Sequence, residues 1–380
     1  MAVTPQLQEK LDLFKACVKF EKPERAPNVS CDFTWKFLDS EYSLSEAMMS
    51  NELIEKVVYD FHERYQFDAY IDFGCRNHMK VLKALGGDCA YKIDDESGAI
   101  NFQEKVLMNA DEYDEYLTNK NALMWKMFQR KFPGLTKGQL LQAMGAFLQT
   151  NQFSGQIITN FVQKYDTPAL FNMFTVPMMP YENFIGYYRG MREGALDLRK
   201  NKRKLKEALD KDFETATLPR IIGGLSQPNE EYAFDCYTAM LGHSVMSNKQ
   251  FEEFYWPHLK RLIDEVVARD KTLYIFCESS ILRLAEYFQD IPKGHVCMHL
   301  ELDDIFETRK KLPNICLAGG MKTELLGGET PEVCADYAKM LLDEMGEGFI
   351  FSQDKMVSFR NDCRRENLLA VNEVVRNYRP

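Results

Sequence analysis

The stretch TLYIFCESSILRLAEYFQDIPKGHVCMHLEL, Thr272 to Leu302, decides the fold. Two short apolar runs, TLYIF and HVCMHLEL, read as buried strands, and ILRLAEYFQDI between them reads as a helix. The first run stops on Cys277 and Glu278. A carboxylate at the end of a buried strand is costly unless chemistry there needs it.

The same alternation continues in both directions. FEEFYWPHLKRLIDEVVARD (251–270) is apolar at helical spacing, and DDIFETRKKL is the helix after the second strand. NICLAGG (314–320) is a strand running into glycines. TPEVCADYAKMLLDEM (330–345) is a helix with Thr330 as N-cap and Pro331 at its first position. GFIFS (348–352) is the last strand, followed by the helix containing RRENLLAVNEVV. Further back, APNVSCDF (26–33) and DAYIDFG (68–74) read as the first two strands, and residues 100 to 230 hold long helical segments such as NALMWKMFQRKF. Repeated strand–helix units specify a parallel sheet. The expected class is α/β, a closed (β/α)8 TIM barrel forming one domain over 1–380, with a helical extension at 1–25 and an insertion in the first half.

Composition narrows the function. Of 380 residues, 45% are apolar and 27% charged, and no stretch approaches the roughly 20 apolar residues of a membrane span. The first twenty residues lack the apolar core of a secretory signal, so a cytoplasmic protein without a membrane partner is expected. The net charge of −10 argues against a nucleic-acid partner. The basic run RKNKRKLKEALDKD from Arg199 carries Leu205 and Leu209 at helical spacing and reads as a solvated helix face. Ten cysteines without a CxxC pair imply reduced thiols, and a metal site would have to be assembled from distant segments.

Barrel chemistry sits where the strands end. Those ends carry Asp72, Cys75 and Arg76; Cys277 and Glu278; His299, Glu301 and Asp303; Gly319 and Gly320; and Ser352, Gln353 and Asp354. Cys297, His299 and Glu301 alternate, share one face, and are expected to point into the lumen. Glu278 and His299 would then be neighbours at the mouth. With Asp354 as third ligand and His243 in reserve, they have the make-up of a catalytic zinc site. They would equally serve as a buried hydrogen-bonded pair holding the mouth. FNMFTVPMMPYENFIGYYRG (171–190), with Phe174, Met178 and Tyr187, offers an apolar wall that either covers the mouth or seals a homodimer interface. Arg189 and Arg192 would hold a carboxylate or make ion pairs.

The C-terminal third, NICLAGGMKTELLGGETPEVCADYAKMLLDEMGEGFIFSQDKMVSFRNDCRREN, resembles the uroporphyrinogen decarboxylase superfamily, whose fold is a (β/α)8 barrel. FEEFYWPHLKRLID is similar to the helix preceding the site in that superfamily, and the late Glu366–Asn367 pair also matches it. Asp72 stands at the position of its pyrrole-binding aspartate. No Arg-Gln-Ala-Gly-Arg segment stands near APNVSCDFTWKF, so the decarboxylase itself is matched poorly. In the corrinoid-dependent methyltransferase branch, thiol-activating members carry His-x-Cys-Gly and a later Cys; here Phe276, Glu278 and Asp354 stand at or near those places. An oxygen/nitrogen site resembles instead the substrate methyltransferases of veratrole- and vanillate-type O-demethylases.

That resemblance implies transfer of a methyl group from a methoxylated aromatic to cob(I)alamin. It also implies zinc on Glu278 and His299; Asp354 remains the third ligand expected from the strand ends, Glu301 or Asp303 an alternative acid, and Asp72, Arg76 and Arg189 are expected at the substrate. The chain has no Asp-x-His-x-x-Gly cobalamin motif, so a separate corrinoid protein is the implied partner. The rivals are a cofactor-free decarboxylase using Arg76, Arg189 and Arg192, and a non-catalytic binding barrel.

Overall fold

The computed structural model describes residues 3–73, 79–86, 91–102, 104–171 and 175–379. In chain order its strands are β1 (Asn28–Ser30), β2 (Ala69–Tyr70), β3 (Tyr91–Asp94), β4 (Ala99–Phe102), β5 (Ala169–Phe171) and β6 (Tyr232–Phe234). They continue with β7 (Cys236–Met240), β8 (Leu273–Cys277), β9 (Val296–Leu300), β10 (Cys316–Met321) and β11 (Phe349–Gln353).

Seven strands form one sheet in the order β2-β1-β11-β10-β9-β8-β7, and every pairing is parallel. β5 pairs in parallel with β6, which runs through Asp235 into β7, and β5 lies beside β2. The curled sheet with its outer helices is the TIM-barrel-like α/β arrangement expected from the strand–helix repeat. Among the described residues the ladder is not zipped between β2 and β5.

Alternation along the strands sorts their side chains. Val29, Ala69, Tyr237, Tyr274, Phe276, Cys297, Cys316, Ala318 and Ile350 pack together inside the ring. Ile275, Cys277, Met298, Leu300, Leu317 and Phe351 pack outward against the helices. Because both faces are buried, the strands read as continuous apolar runs, which is the pattern of a parallel sheet covered by helices. The expected N-terminal extension is the helix Pro5–Lys19, capped by Thr4. Its Phe14, Cys17 and Val18 join the interior cluster and plug the barrel from the N-terminal ends of the strands.

Thr330 and Pro331 start the helix Pro331–Met345 as expected, and the run after Arg199 forms the helix Lys202–Asp212, burying Leu205 and Leu209. ILRLAEYFQDI makes a 3-10 segment, Leu282–Phe288, instead of an α-helix. The insertion before β5 contains the β3–β4 hairpin and the helices Tyr113–Lys131 and Lys137–Tyr165. The stretch expected to be an apolar wall is divided. Met179, Tyr181, Phe184 and Ile185 enter the core, whereas Met178 and Tyr187 remain exposed. No helix among the described residues is long and apolar enough to cross a membrane.

Candidate active site at the barrel mouth

Strand register brings the C-terminal residues together. Phe276 lies opposite His299, and Cys277 lies opposite both Met240 and Leu300. Cys277 faces the outer core, so Glu278 continues the inward set of Tyr274 and Phe276. The Glu278 backbone N–H donates to the Met240 carbonyl at 3.0 Å, which carries the edge of β8 one residue past the strand. Its side chain is half-buried.

The chain then turns sharply. Ser279 has φ +64°, an unusual conformation for a residue other than glycine. Two carboxylates hold it. Glu301 accepts from the Ser279 N–H at 2.5 Å, and Asp303 accepts from the Ile281 N–H at 2.6 Å and from the Ser280 hydroxyl. Glu301 and Asp303, candidates for an acid on sequence grounds, are thus positioning residues for the turn that follows Glu278.

His299 points inward as expected, but its ring is closed off. Nε2–H donates to the carbonyls of Gln353 at 2.8 Å and Asp354 at 3.1 Å, and Nδ1 accepts from the Tyr274 hydroxyl at 2.6 Å. This places a neutral tautomer across β8, β9 and β11, and burial holds its pKa down to about 4. Gly319 permits the approach: at φ +109°, a Cβ there would lie 3.0 Å from the Leu300 carbonyl oxygen and 3.5 Å from the imidazole.

Asp354 is also engaged. Its Oδ1 accepts from the N–H groups of Thr323 at 3.1 Å and Lys355 at 2.8 Å and from the Thr323 hydroxyl, while burial raises its pKa. It borders a polar cavity of about 280 Å³ shared with Glu301, Asp303, Asp304, Lys322 and Tyr337.

The expected zinc set of Glu278, His299 and Asp354 therefore does not fit. Both His299 nitrogens are spent on the barrel, and among the described residues no three His, Cys, Asp or Glu side chains come together as ligands. Cys75, Arg76 and Phe174 lie outside the described residues. The reserve, His243, is fully buried, and neither of its ring nitrogens has a close hydrogen-bond partner among the described residues. Burial, and then the charge of Arg283, lower its pKa to about 4. Its turn is fixed by Glu182, a residue the sequence reading passed over. That carboxylate accepts from the N–H groups of Leu241 and Gly242 at 2.9 Å each and from the Tyr255 hydroxyl at 2.6 Å.

The lumen below the mouth is aromatic. Phe171 stacks on Tyr237 at 4.2 Å, Tyr237 lies parallel to Tyr274 at 6.1 Å, and Phe276 tilts against His299 at 4.7 Å. Cations are scarce: among the described residues only Lys36 and Arg189 are buried. Lys36 donates to the Asp72 carbonyl at 2.5 Å. Arg189 is not available to a substrate, because it is locked to Asp197 at 2.5 Å and donates to the Met108 carbonyl at 2.6 Å. Arg192 is exposed beside Glu193.

Residues 234–378 match the family model of uroporphyrinogen decarboxylase (URO-D). The matched part is the C-terminal portion of the chain. It carries Glu278, His299, Glu301, Asp303 and Asp354, whereas Asp72, Arg76 and the 171–190 stretch precede it. The whole chain is similar in structure to a methyltransferase from Methanosarcina mazei, with a TM-score of 0.60 and 13% identity over 97% of this chain and 98% of that one. At that identity the likeness shows a shared fold over the matched residues and the region before them. No curated protein sequence matches the chain.

Proposed function

We propose that the protein is a methyltransferase that takes a methyl group from an aryl methyl ether and passes it to cob(I)alamin on a separate corrinoid protein. What supports this reading most is the aromatic lumen of Phe171, Tyr237, Tyr274 and Phe276, with the half-buried Glu278 following Phe276 at the strand end. The URO-D match and the likeness to a solved methyltransferase support it.

The corrinoid supplies a nucleophilic Co(I) when its carrier docks. The chain must then hold the methyl carbon in line and help the phenolate leave. Phe171, Tyr237 and Phe276 offer flat faces for the ring of the ether. As the carbon–oxygen bond breaks, its electron pair goes to the aryl oxygen, and the Glu278 carboxyl group is the donor of the proton that oxygen takes up. Glu301 and Asp303 keep the Glu278 turn fixed, and the buried aromatic walls exclude water from the reacting atoms. No step runs through zinc, because the described donors at this mouth do not come together as a zinc site.

The decarboxylase alternative needs cations around a carboxylate, and Arg189 is already committed to Asp197. Glu278→Gln tests the proposal. The variant should fold as wild type yet transfer methyl groups at least about a hundredfold more slowly, the usual contribution of a general acid. Unchanged turnover would remove Glu278 from the chemistry.

A further inference from the structure

The helix Lys137–Tyr165 leads into β5 from the N-terminal ends of the strands. At 29 residues it is about 43 Å long, against about 17 Å for a five-residue strand, so its first half outruns the barrel. Burial follows this geometry: before Thr150 only Ala143 is buried, whereas Ile157, Asn160, Phe161 and Val162 pack inward. The first half carries Leu141, Met144 and Leu148, 59%, 55% and 67% exposed. They lie at i, i+3 and i+7, on one stripe. Gly145 sits inside that stripe, and a Cβ placed there would meet nothing within 4 Å. Trp125 and Met124 on the neighbouring helix Tyr113–Lys131 are 53% and 37% exposed, and a groove of about 340 Å³ runs between the helices beside Phe128 and Leu140.

No Asp, Glu, Lys or Arg occurs between Lys137 and Lys164. In a chain that is 27% charged, such a run is a marked depletion, and depletion of charge distinguishes the core of an interface. We propose that this face pairs with the same face of a second copy, the two helices crossing antiparallel at Gly145 about a two-fold axis.

Three observations select that occupant. Two copies each carrying −10 repel, and the stripe between Lys137 and Lys164 lets them meet without burying a charge from that helix on either side. The five side chains expose about 100 Å² each, so a symmetric contact removes about 1,000 Å² before any polar rim is counted, the threshold for a specific interface. The glycine in the stripe allows close approach of a helix bearing the same stripe, as an isologous pair requires. A lipid surface is a poorer match, since an interfacial helix carries cations along its polar face and this one has none between its end residues Lys137 and Lys164. A carrier that docks and leaves at every turnover would use a smaller, more polar contact.

Sedimentation equilibrium of the full chain tests this. The expected result is a dimer of the 44.2 kDa chain at micromolar concentration. Leu141→Glu with Leu148→Glu should weaken it at least a hundredfold while the circular dichroism spectrum stays unchanged. Met144→Cys should give a covalent dimer with a short bis-maleimide that wild type does not give. A wild-type monomer at tens of micromolar, or a dimer that survives both glutamates, overturns the proposal. So does loss of corrinoid-protein binding by the double variant when the wild type alone is monomeric, which would assign the face to the carrier.

Discussion

Replacing His299 by Gln separates a structural imidazole from a catalytic or metal-binding one. In the native barrel the neutral ring joins Tyr274 to the carbonyls of Gln353 and Asp354, and its pKa of about 4 lies well below the ordinary value of 6.5. A lowered histidine pKa means that the unfolded chain takes up a proton between pH 6.5 and 4 while the folded chain does not. Stability is therefore fully present above pH 6.5 and is lost as pH falls through that window.

For one histidine the loss is about 1.4 kcal/mol per pH unit, and about 2 kcal/mol in total by pH 5. Wild type carries further contributions of both signs. His62 and His243 are also held at about 4 by burial, while burial raises Asp32 to about 7, which acts in the opposite direction. The difference between wild type and variant isolates His299. Urea titrations at pH 7.5, 6.0 and 5.0 should show His299→Gln less stable by about 2–3 kcal/mol at pH 7.5, since it leaves buried groups unsatisfied. The gap should narrow to roughly 1 kcal/mol or less by pH 5. A gap that stays constant across this range would refute the assignment of a neutral, internally hydrogen-bonded imidazole.

Two further perturbations follow from the same geometry. Arg189→Leu leaves Asp197 buried without its guanidinium and should cost about 3–5 kcal/mol in thermal or urea unfolding, with KM for the ether unchanged in whatever fraction remains folded; a raised KM with full stability would place Arg189 at the substrate instead. Gly319→Ala forces a side chain onto φ +109° and against the Leu300 carbonyl, so a loss of about 1–3 kcal/mol is expected, and a neutral outcome in unfolding would show that the β10 turn relaxes freely.

Strands flanked by clear helices were legible from sequence. β8, β9, β10 and β11 are apolar on both faces and begin within two residues of the expected starts. β5, β6 and β7 were not. ALF is three residues long, and YAFDCYTAM is interrupted by Asp235, whose carboxylate accepts from the Thr272 N–H at 2.9 Å and pairs with Lys271. A charged residue inside a strand run breaks the apolar pattern, and only the tertiary partner explains it. The inward direction of His299 was legible for the same reason as the strands, period-two alternation. Its partners were not, because a ring nitrogen bonded to the backbone carbonyls of Gln353 and Asp354 leaves no trace in residue types. Glu182 was missed because nothing in YENF announces that its carboxylate will collect two N–H groups of the turn carrying His243.

The central claim is tested most directly by mixing the protein with a methoxylated aromatic and a corrinoid protein reduced to Co(I), and following the Co(I) absorption together with release of the phenol. The expected result is loss of the Co(I) band in step with phenol release, dependent on the ether and at least about a hundredfold slower in Glu278→Gln. A Co(I) band that persists with every ether, on a carrier shown to accept methyl groups from another donor, would contradict it.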